Sequence, residues 1–174
     1  MKARGFFIRY PILLICLSIC LCACSRGIRP PTAEEILAYR QNFFSCLLTV
    51  EDETGTRQYT LCAGEEHCYQ PQQGALIRYC FDQSGALTLE AGGVRFPLCT
   101  DCRRGLMLVE YLLFGIPAER FSVRTAQDAL QLSSAEVCVL IDRETLLPTQ
   151  MQYEKDGTKM TVSLTAFRFS EKGD

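Results

Sequence analysis

Residues 139–169, VLIDRETLLPTQMQYEKDGTKMTVSLTAFRF, carry the strongest structural signal in the chain. The run Val137–Ile141, which begins two residues before this stretch and overlaps its start, is apolar on both faces, as is typical of a buried strand. Thr149–Glu154 alternates between apolar and polar side chains, Asp156-Gly157 is a hairpin turn signal, and Lys159–Phe169 forms a long strand. The stretch therefore predicts three successive strands, of which the last two form a hairpin.

The last of these strands changes its apolar phase near its end. Every second side chain from Met160 to Ala166 is apolar, but the pattern then shifts to Phe167 and Phe169. A shift of this kind indicates a β-bulge or the edge of a sheet.

Upstream, the sequence predicts two helices around a β-meander. Thr32 and Glu35 form a capping box before a helix over Ala33–Cys46, and an apolar segment predicts a second helix over Arg103–Phe114. Turn sequences separate five short β-rich segments: Leu47–Val50, Arg57–Cys62, Leu76–Phe81, Ala86–Glu90 and Val94–Leu98. The expected fold class is α+β, a strongly curved antiparallel sheet (a half-barrel) with helices packed on one side.

The N-terminus has the pattern of an export signal. Lys2, Arg4 and Arg9 precede an apolar run, Tyr10–Leu21, which is too short to cross a bilayer comfortably. The run ends in Leu21-Cys22-Ala23-Cys24, which resembles the lipobox of bacterial lipoprotein precursors. The expected organisation is a signal peptide over 1–23, a lipidated tether over 24–31 and a half-barrel domain over 32–174. An uncleaved membrane anchor is the alternative.

The C-terminal hairpin is similar to that of the outer-membrane lipoprotein carrier family. Ile141-Asp142, Thr145 and Leu147-Pro148 match the family turn x-I-D-x-x-T-x-L-P, and the opening helix followed by a meander is similar too. The resemblance extends to a lipidated branch in spore-forming, Gram-positive bacteria that includes germination lipoproteins supporting cortex hydrolases. It implies a half-barrel lipid-anchored through Cys24 to the extracytoplasmic face of the cell membrane.

The resemblance also implies a concave face that the helices fill only in part. Such a face would bind a lipid, a lipopeptide or an envelope partner protein. Seven apolar side chains are the candidates for lining it: Met107, Tyr111, Phe114, Met151, Tyr153, Val162 and Leu164. A well-filled core is the alternative for each of them.

Enzyme signatures are weak, and the chain is predicted not to be an enzyme. The single histidine, His67, lies in a polar segment and is expected to be an exposed loop residue. No catalytic or phosphate-binding motif is present, and no cofactor is predicted.

Cys99 and Cys102 form a C-x-x-C pair before the second helix. The pair could form a structural disulfide or a thiol redox site, and the sequence leaves both alternatives open. A zinc site combining this pair with Cys62 and Cys68 is a weaker alternative because its first spacing is too long.

Composition narrows the partners. The chain after the signal is acidic and contains no basic cluster interleaved with aromatic residues, which argues against a nucleic-acid partner. Seven of the eleven cysteines follow Cys24, an odd number, so at least one thiol is free or links to another molecule, for example in a disulfide-linked dimer. The favoured function is a membrane-anchored binding module. The alternatives are a non-enzymatic partner or chaperone of a wall or spore-cortex hydrolase in germination, and a thiol–disulfide redox protein.

Overall fold

The computed structural model describes residues 29–74, 76–99, 104–125 and 129–170, and Pro31–Asp174 forms a compact unit. Helix α1, Ala33–Leu37, begins with the expected capping box. The Thr32 amide donates to Glu35 Oε2 over 2.7 Å, and the Glu35 amide donates to Thr32 Oγ1 over 3.2 Å. The chain then makes a 3-10 turn over Ala38–Gln41.

The first helix is much shorter than predicted. Residues expected in it instead open strand β1, Phe43–Asp52, which pairs on both sides and buries alternate side chains. The last four residues of the predicted helix, 43–46, belong to this strand. Pairing along two neighbouring strands outweighs the weak helical preference of these residues, as is common where tertiary context overrides propensity.

The chain continues as two antiparallel meanders separated by a helix. The first comprises β1 and five further strands: β2 Gly55–Ala63, β3 His67–Pro71, β4 Ile77–Phe81, β5 Leu87–Ala91 and β6 Val94–Pro97. Helix α2, Arg104–Glu110, follows and ends in a π-helical turn, Tyr111–Gly115. After a 3-10 turn at Ala118–Arg120, the second meander comprises β7 Ser122–Thr125, β8 Ala129–Ser133, β9 Val137–Asp142, β10 Pro148–Lys155 and β11 Thr158–Ser170.

All eleven described strands form one open antiparallel sheet in the order β6-β5-β4-β3-β2-β1-β11-β10-β9-β8-β7. The first and last strands of the chain pair with each other, and this pairing joins the two meanders. Buried residues from both meanders and from α2 belong to a single core cluster. A flat sheet of eleven strands, each about 4.8 Å from the next, is too wide for one short helix to reach both flanks. The sheet therefore curves around α2, which confirms the α+β half-barrel.

The predicted change of phase in the last strand is a β-bulge. Ser45 pairs with Arg168 and Leu47 pairs with Thr165, so two residues of β11 oppose Cys46 alone. One of the two, Ala166, has a φ of 54°. The bulge turns the side chain of Phe167 back toward the core, where its ring lies 5.5 Å from that of Phe44. The alternative of a sheet edge is wrong, because β11 lies in the middle of the sheet.

Three strands were missed: β3, β7 and β8. The first two are only five and four residues long, too short to show the sustained apolar alternation that marks a half-buried strand. Within the described residues, no helix has the length and apolar character needed to cross a membrane.

Candidate functional site

A polar cluster joins β3 to the end of α2. His67 and Tyr69 are two residues apart on β3, so both face the concave side of the sheet, where α2 packs. Glu110, the last residue of α2, approaches them from the helix. Its Oε1 lies 2.7 Å from His67 Nδ1, and its Oε2 accepts a 2.6 Å hydrogen bond from the Tyr69 hydroxyl.

The cluster is largely shielded from solvent. Tyr69 is completely buried, and the His67 and Glu110 side chains are 23% and 18% exposed. Burial, together with the neighbouring Glu110 carboxylate, raises the pKa of Tyr69 well above its ordinary value. The tyrosine therefore remains a neutral donor that orients the carboxylate. The prediction that His67 is an exposed loop residue is wrong: its ring stacks on Phe114, with centroids 3.7 Å apart.

A groove of about 430 Å³ opens over this cluster. One wall comes from α2 and its π-helical turn, and the other from β3, the end of β4 and the loops beside them. The residues that line it are Gly64, Glu65, His67, Phe81, Asp82, Gln83, Gly85, Met107, Glu110, Tyr111, Phe114 and Gly115. Its character is apolar with an acidic rim.

The carboxylates of the groove lie at its rim and at the end of α2, and the one on α2 is held in place. Both oxygens of the Glu110 carboxylate already have partners, so this group is fixed in place. The described lining residues include no serine, cysteine or lysine that would act as a nucleophile. They also include no arginine, so the groove presents Glu65 and Asp82 with no opposite charge of its own.

The seven residues predicted to line a cavity occupy three places. Met107, Tyr111 and Phe114 line the groove. Three others, Met151, Val162 and Leu164, are fully buried in the core. Tyr153 is half-buried and lines a separate depression of about 410 Å³ between β9, β10 and β11.

The cysteines are distributed over both faces of the sheet. Cys99 is exposed and carries a free thiol, whereas Cys102 lies outside the described residues, so the C-x-x-C pair stays a prediction. The predicted lipidation site, Cys24, also lies outside them. Cys68 forms a disulfide with Cys80, which leaves no thiolate at Cys68 for a zinc site.

The sequence left this disulfide undetermined, because seven cysteines allow many pairings. The polar cluster was missed as well. The only signal for it was the spacing of His67 and Tyr69, two residues apart as on one face of a strand.

No family model and no curated protein matches the sequence. The fold is similar to that of MucB, with a TM-score of 0.55 and 13% identity over 80% of this chain and 58% of MucB. The chain thus spans a little over half of the length of MucB.

Two further solved structures have lower TM-scores. The complex of Pseudomonas aeruginosa MucA and MucB matches at 0.49, with 15% identity over 80% of this chain and 56% of that chain. A LolA superfamily protein from Nitrosomonas europaea matches at 0.40, with 10% identity over 81% of this chain and 94% of that chain. At such low identity, the likeness to MucB establishes a shared fold.

Proposed function

We propose that the protein is a lipid-anchored, extracytoplasmic binding module that holds an apolar ligand in the groove beside α2. The observation that carries the proposal is the groove itself, where Met107, Tyr111 and Phe114 form an apolar wall above the fixed Glu110 carboxylate. Clefts of this size, mostly apolar with a few placed polar groups, are typical ligand sites. The lipobox at Cys24 supports placement on a membrane surface.

The rim narrows the ligand class. Glu65 and Asp82 give the mouth of the groove a negative character, with no lysine or arginine among the described lining residues. A negatively charged headgroup would meet like charges there, which costs binding energy. The module therefore suits an acyl chain or lipopeptide with a neutral or cationic head.

Two amphiphiles of equal chain length test this proposal. The unit Pro31–Asp174, which contains the whole described core, is titrated with dansyl-labelled dodecylamine and then with dodecylamine or dodecanoic acid as competitor. We expect the amine to displace the probe at a concentration at least tenfold lower than the acid. Equal displacement by both, or no binding of the probe, contradicts the proposal.

A matched pair of variants locates the binding. Met107→Asp places a charge in the apolar wall and should weaken probe binding by tenfold or more. Leu76→Asp makes the same kind of change at a side chain that is 87% exposed and lies outside the groove, and should bind as the wild type does. Equal affinities for the two variants would place the ligand elsewhere.

The anchor has its own test. Cys24→Ser should abolish incorporation of labelled palmitate and release the chain from the membrane fraction, because the thioether that carries the diacylglyceryl group cannot form. Cys99→Ser is the control, since its thiol lies in the extracytoplasmic domain. Palmitate labelling that survives in Cys24→Ser would remove the anchor from the proposal.

A non-enzymatic partner of a wall or spore-cortex hydrolase is the second candidate. It is favoured by edge strand β6, whose Val94 and Phe96 side chains are 54% and 49% exposed. An unpaired edge with apolar side chains can accept a strand from another protein. A purified cortex hydrolase should then co-sediment with the chain, and Phe96→Glu should abolish that complex. No complex with the wild type would reject this candidate.

A further inference from the structure

Three cysteines form one row across neighbouring strands on the outer face of the sheet. Cys62 on β2 pairs in register with Cys68 on β3, which in turn pairs with Cys80 on β4. The residues flanking the first two in sequence, Leu61 and Tyr69, are fully buried on the opposite, concave face. Cys68 and Cys80 are joined by a disulfide, and Cys62 is an exposed free thiol beside it.

The register of β2 and β3 predicts that Cys62 lies within disulfide range of Cys68. The Cα atoms of Cys68 and Cys80 are 4.1 Å apart, which is typical of a non-hydrogen-bonded pair in an antiparallel ladder. In an antiparallel sheet, a residue that is not hydrogen-bonded to its partner on one side forms both backbone hydrogen bonds with its partner on the other side. Cys68 is therefore expected to form a hydrogen-bonded pair with Cys62, and the Cα atoms of such a pair are about 5.5 Å apart. Disulfides usually span Cα separations of roughly 4.4–6.8 Å. The Cys68–Cys80 pair lies just below this range, and the separation expected for Cys62 and Cys68 lies within it.

We propose that Cys62, Cys68 and Cys80 form a thiol–disulfide exchange site. The Cys62 thiolate attacks Sγ of Cys68, the Cys62–Cys68 bond forms, and the Cys68–Cys80 bond breaks. Cys80 leaves as a thiolate and takes up a proton, so no net electrons are transferred and no oxidant is consumed. Attack on sulfur proceeds in line with the breaking bond, and the row places attacking, central and leaving sulfurs in succession.

Exchange switches the exposure of the reactive thiol. With the Cys68–Cys80 disulfide, the free thiol is Cys62, which is exposed and can attack the disulfide of a partner protein, forming a mixed disulfide while the partner's other sulfur leaves as a thiol. With the Cys62–Cys68 disulfide, the free thiol is Cys80, which is only 1% exposed. The site therefore alternates between a state that can capture a partner covalently and one that cannot.

Tryptic mapping distinguishes the two states. The arginines place Cys62 and Cys68 together in the peptide 58–78 and place Cys80 in the peptide 79–95. The whole chain is equilibrated in a glutathione redox buffer, quenched in acid, alkylated and digested without reductant. We expect two species: the linked peptide pair with alkylated Cys62, and the peptide 58–78 lighter by two hydrogens, accompanied by alkylated Cys80.

Variants make the test decisive. Folded Cys80→Ser should form the Cys62–Cys68 disulfide under the same conditions, and alkylation of both thiols would overturn the proposal. The control is the triple variant Thr60→Cys, Cys62→Ser, Cys80→Ser, whose thiol lies on the same strand but pairs in register with Gln70. The control should form a disulfide between residue 60 and Cys68 in less than a tenth of the amount of the Cys62–Cys68 disulfide in Cys80→Ser. Equal amounts would mean that closeness in the sequence, and not strand register, allows the reaction, and would overturn the proposal. Should Cys80→Ser fail to fold, absence of the second species from the wild type decides against exchange.

Discussion

The hydroxyl of Tyr69 donates a 2.6 Å hydrogen bond to Oε2 of Glu110, a residue 41 positions away in the sequence. This bond crosses from the inner face of β3 to the last residue of α2. Together with the contact between Glu110 Oε1 and His67 Nδ1, it fixes the α2 wall of the groove relative to the β3 wall. The same two residues therefore govern both the stability of this part of the fold and the shape of the site.

Tyr69→Phe should destabilise the domain by about 2 kcal/mol, because hydrogen bonds to charged groups contribute roughly 1.5–3 kcal/mol. The substitution leaves a shielded carboxylate oxygen without its donor. Urea unfolding followed by circular dichroism measures the change. Tyr111→Phe, at a ring that is 39% exposed, is the control and should change stability by less than about 0.5 kcal/mol. Equal losses in both variants would show that the Tyr69 bond contributes nothing specific.

The Arg40 side chain binds backbone carbonyls in and just after the π-helical turn that ends α2. Its Nη1 donates to the Ile116 carbonyl over 2.6 Å, and its Nη2 donates to the Leu112 carbonyl over 3.3 Å. Arg40→Met should cost about 2 kcal/mol, and Arg40→Lys should recover little because an ammonium lacks the planar fork. Chemical denaturation measures both variants. Arg124→Met, at an exposed position on β7, is the control, and full recovery by lysine would refute the role of the fork.

Ala166 occupies the bulge position that favours glycine. A φ of 54° costs an L-residue roughly 1–2 kcal/mol, while the added chain entropy of glycine costs about 0.5–1 kcal/mol. Ala166→Gly should therefore stabilise the domain by about 0.5 kcal/mol, and Ala166→Val should destabilise it. Thermal unfolding measures both. Thr165→Gly, at the neighbouring position, is the control and should lower the stability of the domain. If it raised the stability as much as Ala166→Gly does, the argument would be contradicted.

Asp142 should contribute stability that depends on pH. Hydrogen bonds from the backbone and side chain of Thr145 lower the pKa of this carboxyl below its ordinary value. Its contribution is therefore complete above about pH 4 and is lost as pH falls through the lower folded-state pKa. Asp142→Ala should be less stable than the wild type at pH 7. The difference between their urea unfolding midpoints should be smaller at pH 2 than at pH 7. A constant gap, or the same narrowing in Glu144→Ala, would contradict this assignment.

The sequence predicted strands well where one face is buried and the alternation is regular. β10 and β11 lie within a residue or two of their expected bounds, and the bulge appeared as a break in the same pattern. The helix over Ala33–Cys46 was overextended because Phe43 also fits the helical spacing that begins at Ile36. Only pairing with β2 and β11, the latter more than 100 residues away, assigns 43–46 to a strand.

The site was less accessible to prediction because it depends on contacts between distant elements. Met107, Tyr111 and Phe114 were among seven residues expected at a ligand surface, because the resemblance to the carrier family implies a concave face that the helices fill only in part. His67 was placed in a loop, because nothing near it in the sequence indicates that Glu110 and Phe114 cover it. Register likewise determines which cysteines meet across the sheet, and register is a property of the assembled strands.

The position of β11 also has a consequence for the timing of folding. In the described sheet, β11 is the strand through which β7–β10 connect to β1–β6. A chain still emerging from the ribosome therefore holds two separate meanders, and β1 presents an unpaired edge until the last strand becomes available. Such long-range closure slows folding. The core can therefore be completed only once β11 has been synthesised, more than 100 residues after β1.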